Sequence, residues 1–143
     1  MGKCLRSPGL CPKLLSTLKQ MAPTLTELER LVTISIDGMK IKPVLRYEKH
    51  LDRICGFEDC GAVAGGRTDK VANELEAMWL SGLHGQYKQP IAYYLVQGCS
   101  GRDRFRLMIS DCVKASNSSG FSVKVLVCDQ QLSQWASLKA AGV

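Results

Sequence analysis

Leu31-Val-Thr-Ile-Ser-Ile-Asp37 and Val123-Lys-Val-Leu-Val-Cys-Asp129 are two short hydrophobic runs, each closed by an aspartate. Both are rich in β-branched residues and read as strands. Neither strand needs a carboxylate for its packing. A charge beside a buried strand is costly unless something compensates it. A divalent metal shared by Asp37 and Asp129 would do so. Mg²⁺ and Mn²⁺ prefer oxygen ligands, and two such ions about 3.5–4 Å apart stabilise the attacking and leaving oxygens of phosphoryl transfer. A short Asp side chain holds a metal close to a rigid strand. The competing reading is that a lone Asp after a strand opens a turn or caps a helix.

A helix precedes the second run. Ser100 is its N-cap, with Asp103 at the third helical position. Phe105, Met108, Ile109, Cys112 and Val113 form one apolar stripe, and Ser118-Ser119-Gly120 stops the helix. Val123–Cys128 is then nearly all apolar, the pattern of a central strand buried on both faces. A last helix carries Leu132, Trp135 and Leu138. A helix between two strands implies a crossover to a parallel neighbour.

Between the two runs, Val44–Tyr47 and Arg53–Glu58 are weaker strand candidates following Pro43. Gly61, Gly65 and Gly66 mark a flexible loop; no Gly-Lys-Ser/Thr follows, so it is not a P-loop. Residues 73–83 favour helix by propensity, but the short His84-Gly85-Gln86 link favours a hairpin. We read them as a strand paired with a second strand at 90–97. Ahead of the first run, residues 1–12 read as disordered or poorly packed. Residues 13–22 read as a short helix ended by Pro23, with Leu14, Leu15, Leu18 and Met21 on one face. Thr24 and Glu27 then read as the capping box of a second short helix bearing Leu25, Leu28 and Leu31. The fold class is α/β, a mixed sheet with an antiparallel front half and a parallel last strand after the crossover helix.

The 143 residues are enough for one domain with its own core, and the 45% hydrophobic and 22% charged content is ordinary for a globular protein. No run of about 18 apolar residues predicts a membrane span, and the N-terminus lacks a secretory pattern. Seven cysteines without paired C-x-x-C spacing read as a reduced intracellular protein. A net charge of +6 and a pI near 9.0 permit a nucleic-acid partner without demanding one. Basic residues recur at Lys40, Lys42, Arg46, Lys49 and Arg53 and at Arg102, Arg104 and Arg106; any single run reads as solvated surface. His50 and His84 share no ligand motif, and Cys128 has no evident histidine partner, so strand packing is its simpler role.

Four segments in order resemble P-element-type (THAP-associated) transposases. Ile34-Ser-Ile-Asp-Gly-Met-Lys-Ile-Lys-Pro43 resembles the family's first catalytic strand, and Gly56-Phe-Glu-Asp-Cys-Gly61 the segment after it. Gly82-Leu-His-Gly-Gln-Tyr-Lys-Gln-Pro-Ile-Ala-Tyr-Tyr-Leu95 resembles its hairpin, and Val125-Leu-Val-Cys-Asp-Gln130 its second catalytic strand. The resemblance implies an RNase H-like domain at 31–143, in its N-terminal portion and incomplete, behind a partly disordered helical lead-in at 1–30. It implies a DDE/D-type, metal-dependent cleavage and strand transfer of DNA in a nuclear protein. Asp37 and Asp129 map onto the first two catalytic acids and become the expected Mg²⁺ or Mn²⁺ ligands.

The departures are specific. Gly38 stands where the family has Glu, and Gln130-Gln131-Leu132-Ser133 replaces its Gln-Gly pattern. The third acid, the GTP-binding insertion, the zinc-binding THAP domain and a complete oligomerisation region are not in these 143 residues. The isolated chain is therefore expected to bind metal weakly and not to complete the reaction, with DNA as its implied partner and no membrane. The alternative is a non-catalytic domesticated module that contacts nucleic acid or protein.

Overall fold

A computed structural model describes residues 8–98 and 102–128. Its elements in chain order are β1 (Gly9–Leu10), α1 (Pro12–Met21), β2 (Leu31–Lys40), β3 (Arg46–Glu48), β4 (Arg53–Cys55), β5 (Phe57–Asp59), β6 (Arg67–Val71), β7 (Glu74–Gly82), β8 (Lys88–Val96), α2 (Arg102–Ser118) and β9 (Ser122–Cys128). The main sheet runs β6-β5-β8-β7-β2-β9, with β1 added to β8. β3 and β4 form a separate two-stranded hairpin.

β2 shows why the sheet has sides. Val32, Ile34 and Ile36 are buried and alternate with Thr33, Ser35 and Asp37, the period of two that a pleated strand imposes. The buried set joins Met78, Leu80, Tyr94 and Val96 from β7 and β8 in one core. Leu18 of α1 and Phe105, Met108, Ile109 and Cys112 of α2 close that core from the helical side. The apolar stripe read for α2 is the stripe that packs. Its N-cap, Ser100, lies outside the described residues, as does the last helix, read on Leu132, Trp135 and Leu138.

The sheet is mixed. β2 pairs antiparallel with β7, β7 antiparallel with β8, and β2 parallel with β9. The chain leaves β8, crosses by α2 and lands beside β2 rather than beside β8. The hairpin reading of residues 73–83 holds, because β7 has neighbours on both edges. Glu76, Met78 and Leu80 are buried on one of its faces, and Leu75, Ala77 and Trp79 are half-buried on the other. Burial and pairing on this scale override the helix propensity of Glu, Leu and Met.

Several local expectations are corrected. Gly9 and Leu10 are a strand against Tyr93 and Ala92, and Cys11 is buried, so residues 8–12 are packed. Thr24 does not open a helix: its hydroxyl donates to Met21 O at 2.6 Å, closing a 3₁₀ turn at Ala22–Thr24. The reciprocal capping pair is Thr26 and Glu29, around a single turn. The turn goes no further because the chain must enter β2 at Leu31, and Leu28 remains 60% exposed. The glycine loop at 61–66 is short, with a 3₁₀ turn at Ala62–Ala64, and it leads into β6, which the periodicity did not reveal. β9 is not buried on both faces: it ends the sheet among the described residues, with Val125 and Val127 42% and 52% exposed.

Candidate active site

Asp37 sits seven residues into the ten-residue strand β2, where the buried alternation ends and the side chains become exposed. Its register partner across β7 is Ala77, a small residue that leaves the carboxylate room. Asp37 belongs to the alternating set opposite Ile36, so it stands on the sheet face away from the core shared by α1 and α2. A shallow groove of about 570 Å³ runs along that face, lined by Asp37, Met39, Leu75, Trp79, Pro90 and Tyr93 among others. Lys88 Nζ lies 4.9 Å from the Trp79 ring centre, a cation–π contact beside the groove. Burial pushes the Tyr93 hydroxyl up to about 12, so it stays protonated at neutral pH.

On the other side of β2, the parallel partner β9 places Cys128 opposite Ile36, the residue just before Asp37. Asp129 follows Cys128 in the sequence and lies outside the described residues. Among the described residues no group of three or more His, Cys, Asp or Glu side chains could hold a metal ion. The described donor is thus one exposed carboxylate, an oxygen ligand of the kind Mg²⁺ and Mn²⁺ accept while keeping much of their water. His50 and His84 are exposed, on the β3–β4 turn and the β7–β8 turn.

A second polar cluster lies at the far end of the sheet. Glu58 of β5 is 3% exposed and accepts from Arg104 Nη1 at 2.7 Å, from the Gln97 N–H at 2.9 Å and from the Thr68 hydroxyl at 3.3 Å. Burial opposes ionisation of Glu58, but these bonds outweigh it and hold its carboxyl below the usual range. The cluster ties β5, the end of β8 and α2 together, and so fixes the crossover that delivers β9 to β2. Sequence reading passed over it, because Glu58 and Arg104 are 46 residues apart. The groove residues carried a signal that was readable: Leu75, Ala77 and Trp79 alternate along β7 as a second apolar face.

Residues 6–142 match the family described as TNP-like, RNase H N-terminal domain. The chain belongs to this family. It is 24% identical over 147 residues to the human protein named DNA transposase THAP9, a match covering 100% of this chain and 16% of that protein. The TNP-like RNase H fold is also that of a solved structure, the Drosophila P element transposase strand transfer complex. There the TM-score is 0.71 at 13% identity, covering 99% of this chain and 27% of the other. The chain therefore corresponds to an N-terminal RNase H-like part of a P-element-type transposase and spans about a sixth of the length of its human relative.

Within this family fold, Gly38 makes local sense. A Cβ there would lie 2.8 Å from Glu74 Oε1. Glu74 thus occupies the space beside β2 that a side chain at position 38 would take. No described helix is long and apolar enough to cross a membrane.

Proposed function

We propose that this chain is the N-terminal part of a DDE/D-type DNA transposase catalytic domain, with Asp37 and Asp129 as ligands for Mg²⁺ or Mn²⁺. The observation that carries the reading is the parallel pairing of β2 with β9, with Ile36 opposite Cys128. Each of those residues is followed directly by an aspartate. The bound ions would supply an activated nucleophile and stabilise the leaving oxygen. The chain's own part is to hold Asp37 on a strand bonded on both edges, where the carboxylate cannot drift. Asp37 stands on the face that α1 and α2 leave open, so a third acid would have to approach from that side. DNA is the proposed substrate and the nucleus the proposed site of action.

The test is Mn²⁺ binding to the 143-residue chain, read by electron paramagnetic resonance, beside Asp37→Asn and Asp129→Asn. Weak binding lost in both variants supports the reading; binding indifferent to both overturns it. Indifference would favour a second reading, a non-catalytic interaction module. The exposed Val125 and Val127 on the outermost described strand are the observation that speaks for it.

A further inference from the structure

The β3–β4 hairpin has no evident structural task. It pairs only with itself, apart from the main sheet, and exposed large apolar side chains gather on it and on the residues that lead into it. Tyr47 and Ile54 face each other across the hairpin and are 59% and 47% exposed. Val44 and Leu45, just before it, are 46% and 44% exposed. Isolated exposed apolar residues need no explanation, but a grouped set marks a surface that meets something.

The charge around this patch narrows what it meets. Residues 40–56 hold five basic and two acidic residues, a formal net charge of +3 out of the chain's +6. Lys40, Lys42, Arg46 and Lys49 are all exposed. None of these four forms an ion pair among the described residues. One of the two acids, Asp52, is engaged by the Tyr47 hydroxyl, which donates to its Oδ1. Unpaired cations around an exposed aromatic ring are the chemistry of a nucleic-acid backbone contact: cations meet phosphates, and a ring packs on sugar or base.

Position supplies the second argument. The segment begins where β2 ends, at Lys40, three residues beyond Asp37. At about 3.3 Å per residue, Lys40 is about 10 Å along the strand from Asp37. The hairpin's root is rigid. Gly56, at φ +113°, closes it so tightly that a Cβ would fall 2.3 Å from Val44 O. Ile41 N–H bonds to Asn73 O, and Ala72 N–H to Gly56 O, pinning the root to the start of β7.

We infer that the β3–β4 hairpin is a DNA-backbone clamp, in which Lys40, Lys42, Arg46 and Lys49 hold the phosphates next to Asp37 while Tyr47 packs against the sugar–base edge. The inference rests on the transposase reading and deepens it by naming the surface that holds the substrate. It does not depend on metal at Asp37.

The experiment is binding of the full chain to a fluorescent random-sequence DNA duplex across a salt series, without divalent metal. The hairpin variant is K40Q/K42Q/R46Q/K49Q. A charge-matched control, K13Q/K19Q/K114Q/K124Q, removes four exposed lysines from α1, α2 and β9. Each phosphate contact contributes about 0.9 to the slope of log affinity against log salt. The hairpin variant should lose about 3 of that slope and at least about tenfold in affinity at 0.1 M salt. The control should lose less than about 1. Tyr47→Ala should lower affinity with the slope unchanged. The half-variants K40Q/K42Q and R46Q/K49Q, each expected to lose part of the slope, replace the full variant if it does not fold. Equal losses in variant and control would overturn the clamp, as would wild-type chain that binds no duplex. Binding to phosphatidylserine vesicles in place of DNA through the same residues would also overturn it. The Mn²⁺ measurement on Asp37→Asn stands apart from all of these, so the clamp and the metal site fail independently.

Discussion

Ile36 of β2 lies directly across a parallel pair from Cys128 of β9. The pairing joins two segments 92 positions apart through a crossover helix, and it orders the sheet around the one strand that carries Asp37.

The first prediction concerns catalysis. The purified chain should fail to nick supercoiled plasmid in Mn²⁺. Two-metal phosphoryl transfer needs both ions held in register, and small misplacements reduce rates steeply. The described residues offer no cluster of three ligands. Nicking by wild type that Asp37→Asn and Asp129→Asn both abolish would show that the chain suffices, against this expectation.

The Glu58–Arg104 bond predicts an asymmetry in stability. Arg104 is 40% exposed in its side chain and Glu58 4%. Glu58→Ala strands the Gln97 N–H and the Thr68 hydroxyl and should cost about 2–3 kcal/mol. Arg104→Ala leaves those donors with their acceptor and should cost less. Urea denaturation of both variants measures the difference; equal costs would mean the ion pair itself dominates.

The same carboxylate sets a pH dependence. Its folded value is depressed, because the bonds from Gln97, Arg104 and Thr68 outweigh the opposing effect of burial. Its stabilisation is therefore present above the unfolded value, about 4.3, and is lost as pH falls through the folded one. Melting temperature should drop across the acid range in wild type. In Glu58→Gln the drop should be shallower, and an identical profile would assign the acid sensitivity to other groups.

Core and edge should respond differently to truncation. Ile34 is 0% exposed in the cluster beneath α2, so Ile34→Ala should cost about 2–5 kcal/mol. That is a large part of the roughly 5–15 kcal/mol available to a domain. Val125→Ala on β9, where the side chain is 42% exposed, should cost under about 1 kcal/mol. Denaturation midpoints for the two variants settle the ordering.

Gly56→Ala should loosen the hairpin without unfolding the sheet. A methyl at φ +113°, 2.3 Å from Val44 O, requires the backbone to move, at a cost on the order of 1–3 kcal/mol. Amide exchange should quicken across β3 and β4 and stay slow in β2 and β7. Uniform acceleration would mean that the hairpin root braces the whole sheet.

The sequence by itself determined the elements whose signal is local and repeated. The β-branched run ending at Asp37, the apolar stripe of α2 and the hairpin of β7 with β8 were all legible from period and turn chemistry. The mixed sheet followed from one helix between two strands. Asp37 stood out because it ends an apolar run. What only the tertiary structure decided depends on neighbours distant in sequence. The second neighbour of β7, β2, comes from more than thirty positions upstream, and no turn in the sequence announces that pairing. The turn at Thr26–Glu29 goes no further because β2 begins at Leu31. β9 looked central from its composition, yet it lies at the edge of the described sheet, since composition records apolarity but not which face finds a partner. Glu58 and Arg104 meet across 46 positions. A side-chain pair at that separation leaves no periodic trace, because its energy arises only when folding brings the two side chains together and buries Glu58.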